Sequence, residues 1–422
     1  MRNKFLFFSG VIVYRILVDY VYVNFVSLRF SYDGYTYSEN FINYCISWFL
    51  LIPFLLLIIP FLKRKEFVIS NVVIFLFLLR FVPLTSFIAC KPFSNSFVFA
   101  EIFFWSLLIL LLRKRILPSK KYNFTFLNQN QLSDSSRQML FNFILIFSCF
   151  VVLLISGVYT NFRLHFGLNY EVYELRSDAK TFNLPILLRY SLSMTKNILP
   201  VLFIYYWQEK KRWICYLIVF ITLLNFSING LKSTIFLLLL SVILQIIYNK
   251  KITFWYPALF AALCFFSLVE YKIFNTYWIS DLLVRRGLFT PALLDSYYFD
   301  FISQHGPTYY QRGLHYVIGD IYFNSPEMQA NNGLFSDAYT NLGYLGIIIY
   351  PLIYAIFFRF CETISRGTNK KFVMFAVIII VNALNSTTFT TTLLTHGLLI
   401  VCLLLYIFPK KSDNIGYIKC KT

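Results

Sequence analysis

Cations placed where few cations belong are the residues best suited to chemistry in this chain. Arg285 and Arg286 come first, opening the stretch Arg285-Arg286-Gly287-Leu288-Phe289-Thr290-Pro291. Thr is a favoured N-cap and Pro a favoured first helical residue. The pattern therefore predicts a helix that starts near Pro291 and runs through Tyr297 to Phe301. The free N–H groups and dipole of such a helix attract an anion, and guanidinium suits bidentate contact with phosphate. The bland alternative is an interfacial helix whose arginines grip lipid headgroups. Arg163, Arg176, Lys232, Lys272 and Arg312 belong to the same set, and Arg80, Arg189 and Lys196 lie inside apolar runs, where an ionisable group needs a partner or a wet cavity. Against an anion site stands simple pairing of these cations with Glu171, Glu174, Asp178, Asp281, Asp295 and Asp300.

What must position these residues is set by the apolar runs. The 422 residues are 58% hydrophobic and 20% aromatic but only 14% charged. A bilayer span needs roughly 20 apolar residues for a ~30 Å hydrocarbon core. About twelve stretches approach that, each a helix because lipid leaves the backbone no other partner: 5–28, 41–62, 67–89, 97–112, 139–158, 186–207, 213–229, 234–248, 252–270, 339–360, 371–390 and 393–408. The expected fold is an all-α polytopic membrane protein, residues 1–422 forming a single integral membrane domain. Basic clusters at Arg2/Lys4, Lys63–Arg64–Lys65, Arg113–Lys114–Arg115, Lys210–Lys211–Arg212, Lys250–Lys251, Arg366/Lys370/Lys371 and Lys410/Lys411 all fall on one side if both termini are cytoplasmic. The net charge of +19 is then explained by topology and anionic lipid, and no nucleic-acid partner is expected. The apolar N-terminal run lacks a small-residue cleavage site and is read as the first span.

This orientation leaves two long segments outside, 159–185 and 271–338. The second is too rich in Tyr and Phe for disorder, so short helices on the membrane surface are expected there. All four histidines, His165, His305, His315 and His396, also fall outside. Among eight cysteines, only Cys45 and Cys90 lie near the outer face, which limits any disulfide to that pair; the rest read as small buried hydrophobes. Arg15 and Asp19, four apart on one helix face, read as a self-neutralising pair. Gly230-Leu-Lys232-Ser-Thr234 has the wrong glycine spacing for a phosphate loop and reads as an outer hairpin with Lys232 facing the cavity. Glu101 and Glu270 are counter-ion candidates.

Tyr173-Glu-Leu-Arg176-Ser-Asp-Ala179, then Arg285-Arg286 with Thr290-Pro291 and Tyr297-Tyr-Phe-Asp-Phe301, resemble the Wzy-type O-antigen and capsule polymerases, the oligosaccharide repeat-unit polymerases. Asn331-Asn-Gly333 followed by Ala338-Tyr339-x-Asn341-x-Gly343-x-x-Gly346 is similar to that family's late signature. The resemblance covers about 160–350. It implies a GT-C-like bundle of about twelve spans in a bacterial inner membrane and an inverting transfer between glycans on undecaprenyl pyrophosphate, donor and acceptor alike. It further implies a chain-length regulator protein as partner and no cofactor. On this view Arg176, Arg285, Arg286 and Lys232 bind pyrophosphate, where preorganised cations stabilise the developing charge without a metal. His305, Asp300, His315 and Asp295 are base candidates by type and location. The alternatives are a lipid-linked oligosaccharide flippase or other transporter, and an O-antigen ligase-like transferase. Internal repeats of the kind many transporters carry are not seen.

Overall fold

Apolar runs of lipid length leave the backbone one way to satisfy its N–H and C=O groups, and the chain takes it. In a computed structural model that describes residues 2–113, 133–165, 171–249 and 252–409, the protein is 83% helix, with no strands among the described residues. Along the chain come α1 (Asn3–Arg29), α2 (Phe41–Lys63), α3 (Phe67–Cys90), α4 (Asn95–Arg113), α5 (Asp134–Thr160), the short α6 (Glu171–Thr181), α7 (Ile186–Gln208), α8 (Arg212–Asn229), α9 (Lys232–Ile247) and α10 (Ile252–Phe274). A π-helical run, Ser280–Phe289, then passes directly into α11 (Thr290–His305). It is followed by α12 (Leu314–Phe323), α13 (Leu334–Leu342), α14 (Tyr344–Ile364), α15 (Lys370–Ser386), α16 (Phe389–Leu394) and α17 (Leu398–Ile407). Eight of these, α1–α5, α8, α10 and α14, are long and apolar enough to cross a membrane, which fits a multi-pass membrane protein. Parts of the basic clusters at 113–115, 250–251 and 410–411, and Cys420, lie outside the described residues.

The chain divides into two compact units, the first from Met1–Ser119, Asn249–Phe360 and Val381–Phe389, the second from Lys120–Tyr248, Cys361–Ile380 and Thr390–Thr422. In the first, α1 and α10 run side by side in the same direction. Gly10 lets them approach, since a Cβ there would stand 3.1 Å from that of Pro257, and Phe25 meets Tyr271 edge-on near the other end. Arg15 does pair with Asp19. The pair also ties three helices together, because Arg15 Nη2 donates to Ser47 Oγ at 2.8 Å and to the Thr85 carbonyl at 3.1 Å. Cys45 and Cys90 are free thiols, so the disulfide allowed by sequence is not formed.

Two of the π turns in the first unit run into a proline, and they shape it. A proline inside an α-helix lacks its N–H and crowds the carbonyl four residues back. In Ser280–Phe289 the ladder widens just before Pro291, so that the Thr290 N–H reaches the Arg285 carbonyl. Phe77–Phe81 does the same before Pro83, with the Val82 N–H reaching Phe77. Both of these carry arginine, Arg80 in one and Arg285 and Arg286 in the other.

This overturns one expectation. Thr290 is not an N-cap, because helix continues upstream through the π run. Its side chain instead donates to the Arg285 carbonyl at 3.1 Å. Local Thr-Pro preference has lost to a helix that widens instead of starting. The true N-terminus lies near Trp278, and its anion is built in: Glu270 at the end of α10 accepts from the N–H groups of Trp278, Ile279 and Ser280 at 2.6, 2.8 and 3.2 Å.

The second unit contains α5 to α9, the N-terminal part of α15, and α17. Asn225 Nδ2 donates to Thr195 Oγ1 at 2.8 Å, and Asn197 Nδ2 to the His396 carbonyl at 2.8 Å. The turn between α8 and α9 is closed by Gly230 at φ +61, where a Cβ would stand 2.9 Å from the Val172 carbonyl of α6.

Candidate functional site

The arginines of the π run sit against the end of α1. After Arg29 and Phe30 the chain makes a tight 3-10 turn, Ser31–Asp33, closed by Gly34 at φ +90. A Cβ at Gly34 would collide with the Tyr297 hydroxyl, so both the backbone conformation and the space demand glycine. Asp33 at this turn faces Arg285. Arg285 reaches Asp281 through Nε at 2.6 Å and Nη2 at 2.5 Å, and Asp33 through Nη1 at 3.4 Å. Its guanidinium carbon lies over the Phe30 ring, 4.1 Å from the centroid. Burial alone would lower the Arg285 pKa, but Asp281 and its neighbours more than offset it and the net shift is upward. Burial raises the Asp33 carboxyl, with the Arg285 charge working against that.

Arg286 is held far less firmly. Its Nε stands 3.6 Å from Asp281 Oδ2, and the side chain is 45% exposed. Beside it, Tyr35 donates to Thr290 Oγ1 at 2.7 Å, a direction set by the hydroxyl's own donation to Arg285.

The other flank of the Gly34 turn carries a lysine. Lys91 Nζ donates to the Gly34 carbonyl at 2.7 Å and lies 5.6 to 5.7 Å from the ring centres of Phe87, Phe93 and Tyr297. Burial lowers its pKa to about 8. Tyr297 in turn donates to the Asp33 carbonyl at 3.2 Å and stacks on Tyr322 at 4.4 Å. Tyr322 donates to Asp300 Oδ2 at 2.6 Å, and Gln304 to Asp300 Oδ1 at 3.1 Å. Asp300 is thus held by two donors.

His305 is exposed at the end of α11, its ring stacked on Phe301. Its Nδ1 lies 2.9 Å from the Phe301 carbonyl, which can only accept. That fixes the neutral tautomer with the proton on Nδ1 and the lone pair on Nε2. His315 on α12 lies against Tyr316, and burial lowers its pKa. Arg176 and Lys232 belong to the second unit. Arg176 Nε donates to the Gly230 carbonyl at 3.3 Å, a cation at the C-terminus of α8, and Lys232 opens α9.

Deeper in the first unit Arg80 pairs with Asp295, both buried, so the in-span arginine takes its partner from the segment read as an outer loop. Arg80 lies ten residues before Cys90, about 15 Å along α3 at 1.5 Å per residue. The long segment therefore does more than rest on a surface: α11 reaches into the bundle and buries Pro291, Leu293, Asp295, Tyr298, Phe299 and Ile302. Asp295 also accepts from the Ser336 N–H at 3.3 Å, and Glu101 accepts from Trp105 at 2.8 Å.

The late motif does the packing around this pair. A Cβ on Gly333 would stand 2.8 Å from the Asn385 carbonyl, and one on Gly346 would collide with the Ala338 carbonyl. Asn341 Nδ2 donates to Asp337 Oδ1 at 2.8 Å and to Tyr350 Oη at 3.1 Å.

No family model, curated protein or solved structure matches this chain. The site therefore stands on its own geometry. Among the described residues no three His, Cys, Asp or Glu side chains gather as metal ligands would. What this end of the first unit offers is a paired arginine fixed by two aspartates, a looser arginine beside it, and a lysine across one turn. Sequence reasoning missed Asp33, Lys91 and Arg29. Each lies at or just past the end of a long helix, where short connections were passed over, and Lys91 directly follows the end of α3.

Proposed function

We propose that this protein polymerises undecaprenyl-pyrophosphate-linked oligosaccharide repeat units into O-antigen or capsular polysaccharide. On this reading it is a bacterial inner-membrane glycosyltransferase of the Wzy type, with about twelve spans in a GT-C-like bundle and both termini cytoplasmic. The reaction takes place at the outer face. Support comes from the sequence resemblance, from the long apolar helices and above all from Arg286, a loosely held guanidinium next to one that two aspartates orient. Such a group exchanges a weak partner for a phosphate with little reorganisation.

In the reaction an acceptor sugar hydroxyl attacks the anomeric carbon of the donor. The new glycosidic bond forms as the bond to the pyrophosphate oxygen breaks, and the electron pair leaves with undecaprenyl pyrophosphate. Arg286, with Arg285 behind it, stabilises the charge that gathers there. The hydroxyl gives up its proton to solvent as the new bond forms. His305 lies nineteen residues after Arg286 on one continuous helix, more than about 20 Å along it at roughly 1.5 Å per residue, and does not reach a sugar whose pyrophosphate Arg286 holds. A chain-length regulator is the expected protein partner.

The test is purified protein given short lipid-linked repeat units, with products resolved by size. A ladder supports the reading. A single transfer to a different lipid makes the protein a ligase, and redistribution of substrate across vesicles without chemistry makes it a flippase; either result ends the proposal.

A further inference from the structure

The end of α1 also borders an open cavity of about 480 Å³, lined by Leu28, Arg29, Phe30, Tyr32, Tyr271 and Tyr277. Four of the six are aromatic, one is a cation and none is a carboxylate. Tyr32 and Tyr277 present 76% and 41% of their surface, so rings are open to a ligand. The volume falls in the range of small-molecule sites.

Arg29 gives the cavity its sign. Its guanidinium carbon lies over the Tyr277 ring, 4.3 Å from the centroid, and the residue is exposed, so its N–H donors are open to a ligand. Arg285 lies in the same way over Phe30, and there the donors are taken by Asp281 and Asp33. Arg29 has no ion pair among the described residues. The two arginines share the Phe30–Asp33 segment, one with its carboxylates supplied by the fold and one without. The flat rings around Arg29 suit the C–H face of a pyranose, and its planar N–H edge suits a carboxylate.

We propose that this cavity binds a saccharide bearing a carboxylate, with its pyranose face on Tyr277, Tyr32 or Tyr271 and its carboxylate on the Arg29 edge. This rests on the glycan-polymerising reading and deepens it, by making an acidic sugar the substrate unit read beside the Arg285–Arg286 site.

The experiment is ligand-observed saturation-transfer NMR on the full chain in phosphatidylcholine nanodiscs. Methyl glucuronide, methyl glucoside and inorganic phosphate are the probes. Transfer to the glucuronide should exceed that to the glucoside at least fivefold. Arg29→Gln should bring the two level, and Tyr277→Ala should weaken both, with melting curves showing that each variant folds. Equal transfer to the two sugars, or an Arg29→Gln signal like that of the wild type, overturns the proposal. Displacement of the glucuronide by equimolar phosphate also overturns it, because the edge then reads the phosphate of a lipid headgroup. If glucuronide binds while no polymer is made from any substrate, the polymerase reading fails and the site stands. A ladder from neutral repeat units without glucuronide binding does the reverse.

Discussion

Arg80 and Arg285 each sit on a π turn that runs into a proline, and each is held by aspartate, but their surroundings separate them. Arg80 and Asp295 are 3% and 2% exposed, sealed between α3 and α11. Arg285 is 12% exposed, Asp33 is 22%, and the neighbouring Arg286 is nearly half exposed. A sealed pair cannot trade its aspartate for a ligand without carrying charge through an apolar core, so its role is to hold α11 in the bundle. An open pair can trade, because solvent reaches it. The same two residue types thus anchor a helix in one place and offer a cationic surface in the other.

Breaking the sealed pair should have the largest effect. Removing one partner of a buried ion pair typically costs about 3–5 kcal/mol, because the other charge is left uncompensated. Asp295→Ala and Arg80→Ala should each yield protein that melts far below the wild type in detergent or fails to insert stably. The double variant Arg80→Met/Asp295→Leu should recover much of the loss. Single variants that melt like the wild type would move Arg80 out of the structural class.

Breaking the open pair should act on turnover and spare the fold. Loss of one preorganised charge-stabilising donor commonly lowers kcat by about 10²–10³. Arg286→Ala should therefore abolish visible polymer while its melting curve stays close to that of the wild type. His305→Ala, at the far end of the same helix, should leave turnover unchanged. Full-length polymer from Arg285→Ala/Arg286→Ala would end the pyrophosphate role of both residues, and a loss of about 10²–10⁴ in His305→Ala would give that histidine the proton transfer and move the reacting sugar away from Arg286.

Lys91 lies between these extremes: partly buried, unmatched by carboxylate in any ion pair among the described residues, yet at the rim of the open site. Burial holds its folded pKa at about 8 against an ordinary 10.5. Between those values the native state binds fewer protons than the unfolded one. Its contribution to stability is therefore present above 10.5 and is lost as pH falls through about 8. Acetylation of Lys91, followed by mass spectrometry across pH, should show a midpoint near 8, well below that of exposed lysines. Lys91→Met should flatten the slope of stability over the same window. A midpoint indistinguishable from the exposed lysines would place the ammonium in water.

The comparison also marks how far the sequence could be read. Apolar runs such as 41–62 and 67–89 announce their helices because composition and length are local properties, and Arg15–Asp19 follows from spacing on one helix face. Arg80–Asp295 joins residues 215 apart in the chain, and no local pattern encodes that meeting. The Arg285–Asp281 pair is in part a matter of spacing, four residues on a helix, but Asp33 comes from a turn 252 residues away. Thr290-Pro291 misled for a different reason. The residues that start a helix are also tolerated inside one that widens to admit a proline, and the choice depends on Glu270, which supplies the real N-terminus from another helix.

The smallest expected effect concerns that carboxylate, and it sharpens where an anion can bind. Glu270 meets three N–H groups at the start of the π run, the position where a free phosphate would otherwise find the positive end of the helix. Losing a cap of this kind costs about 1 kcal/mol, so Glu270→Ala should melt only slightly below the wild type. Its exposed helix end should then accept an external anion, and phosphate should raise the melting midpoint of Glu270→Ala more than that of the wild type. The same increment should appear in Glu270→Ala/Arg286→Ala, because the helix end and the arginine are separate anion sites on one helix. Should phosphate stabilise Glu270→Ala no more than the wild type, the carboxylate is not what keeps anions from the helix end. Should the increment vanish with Arg286, the two features act as one site, and the pyrophosphate would be expected nearer to Glu270 than Arg286 alone implies.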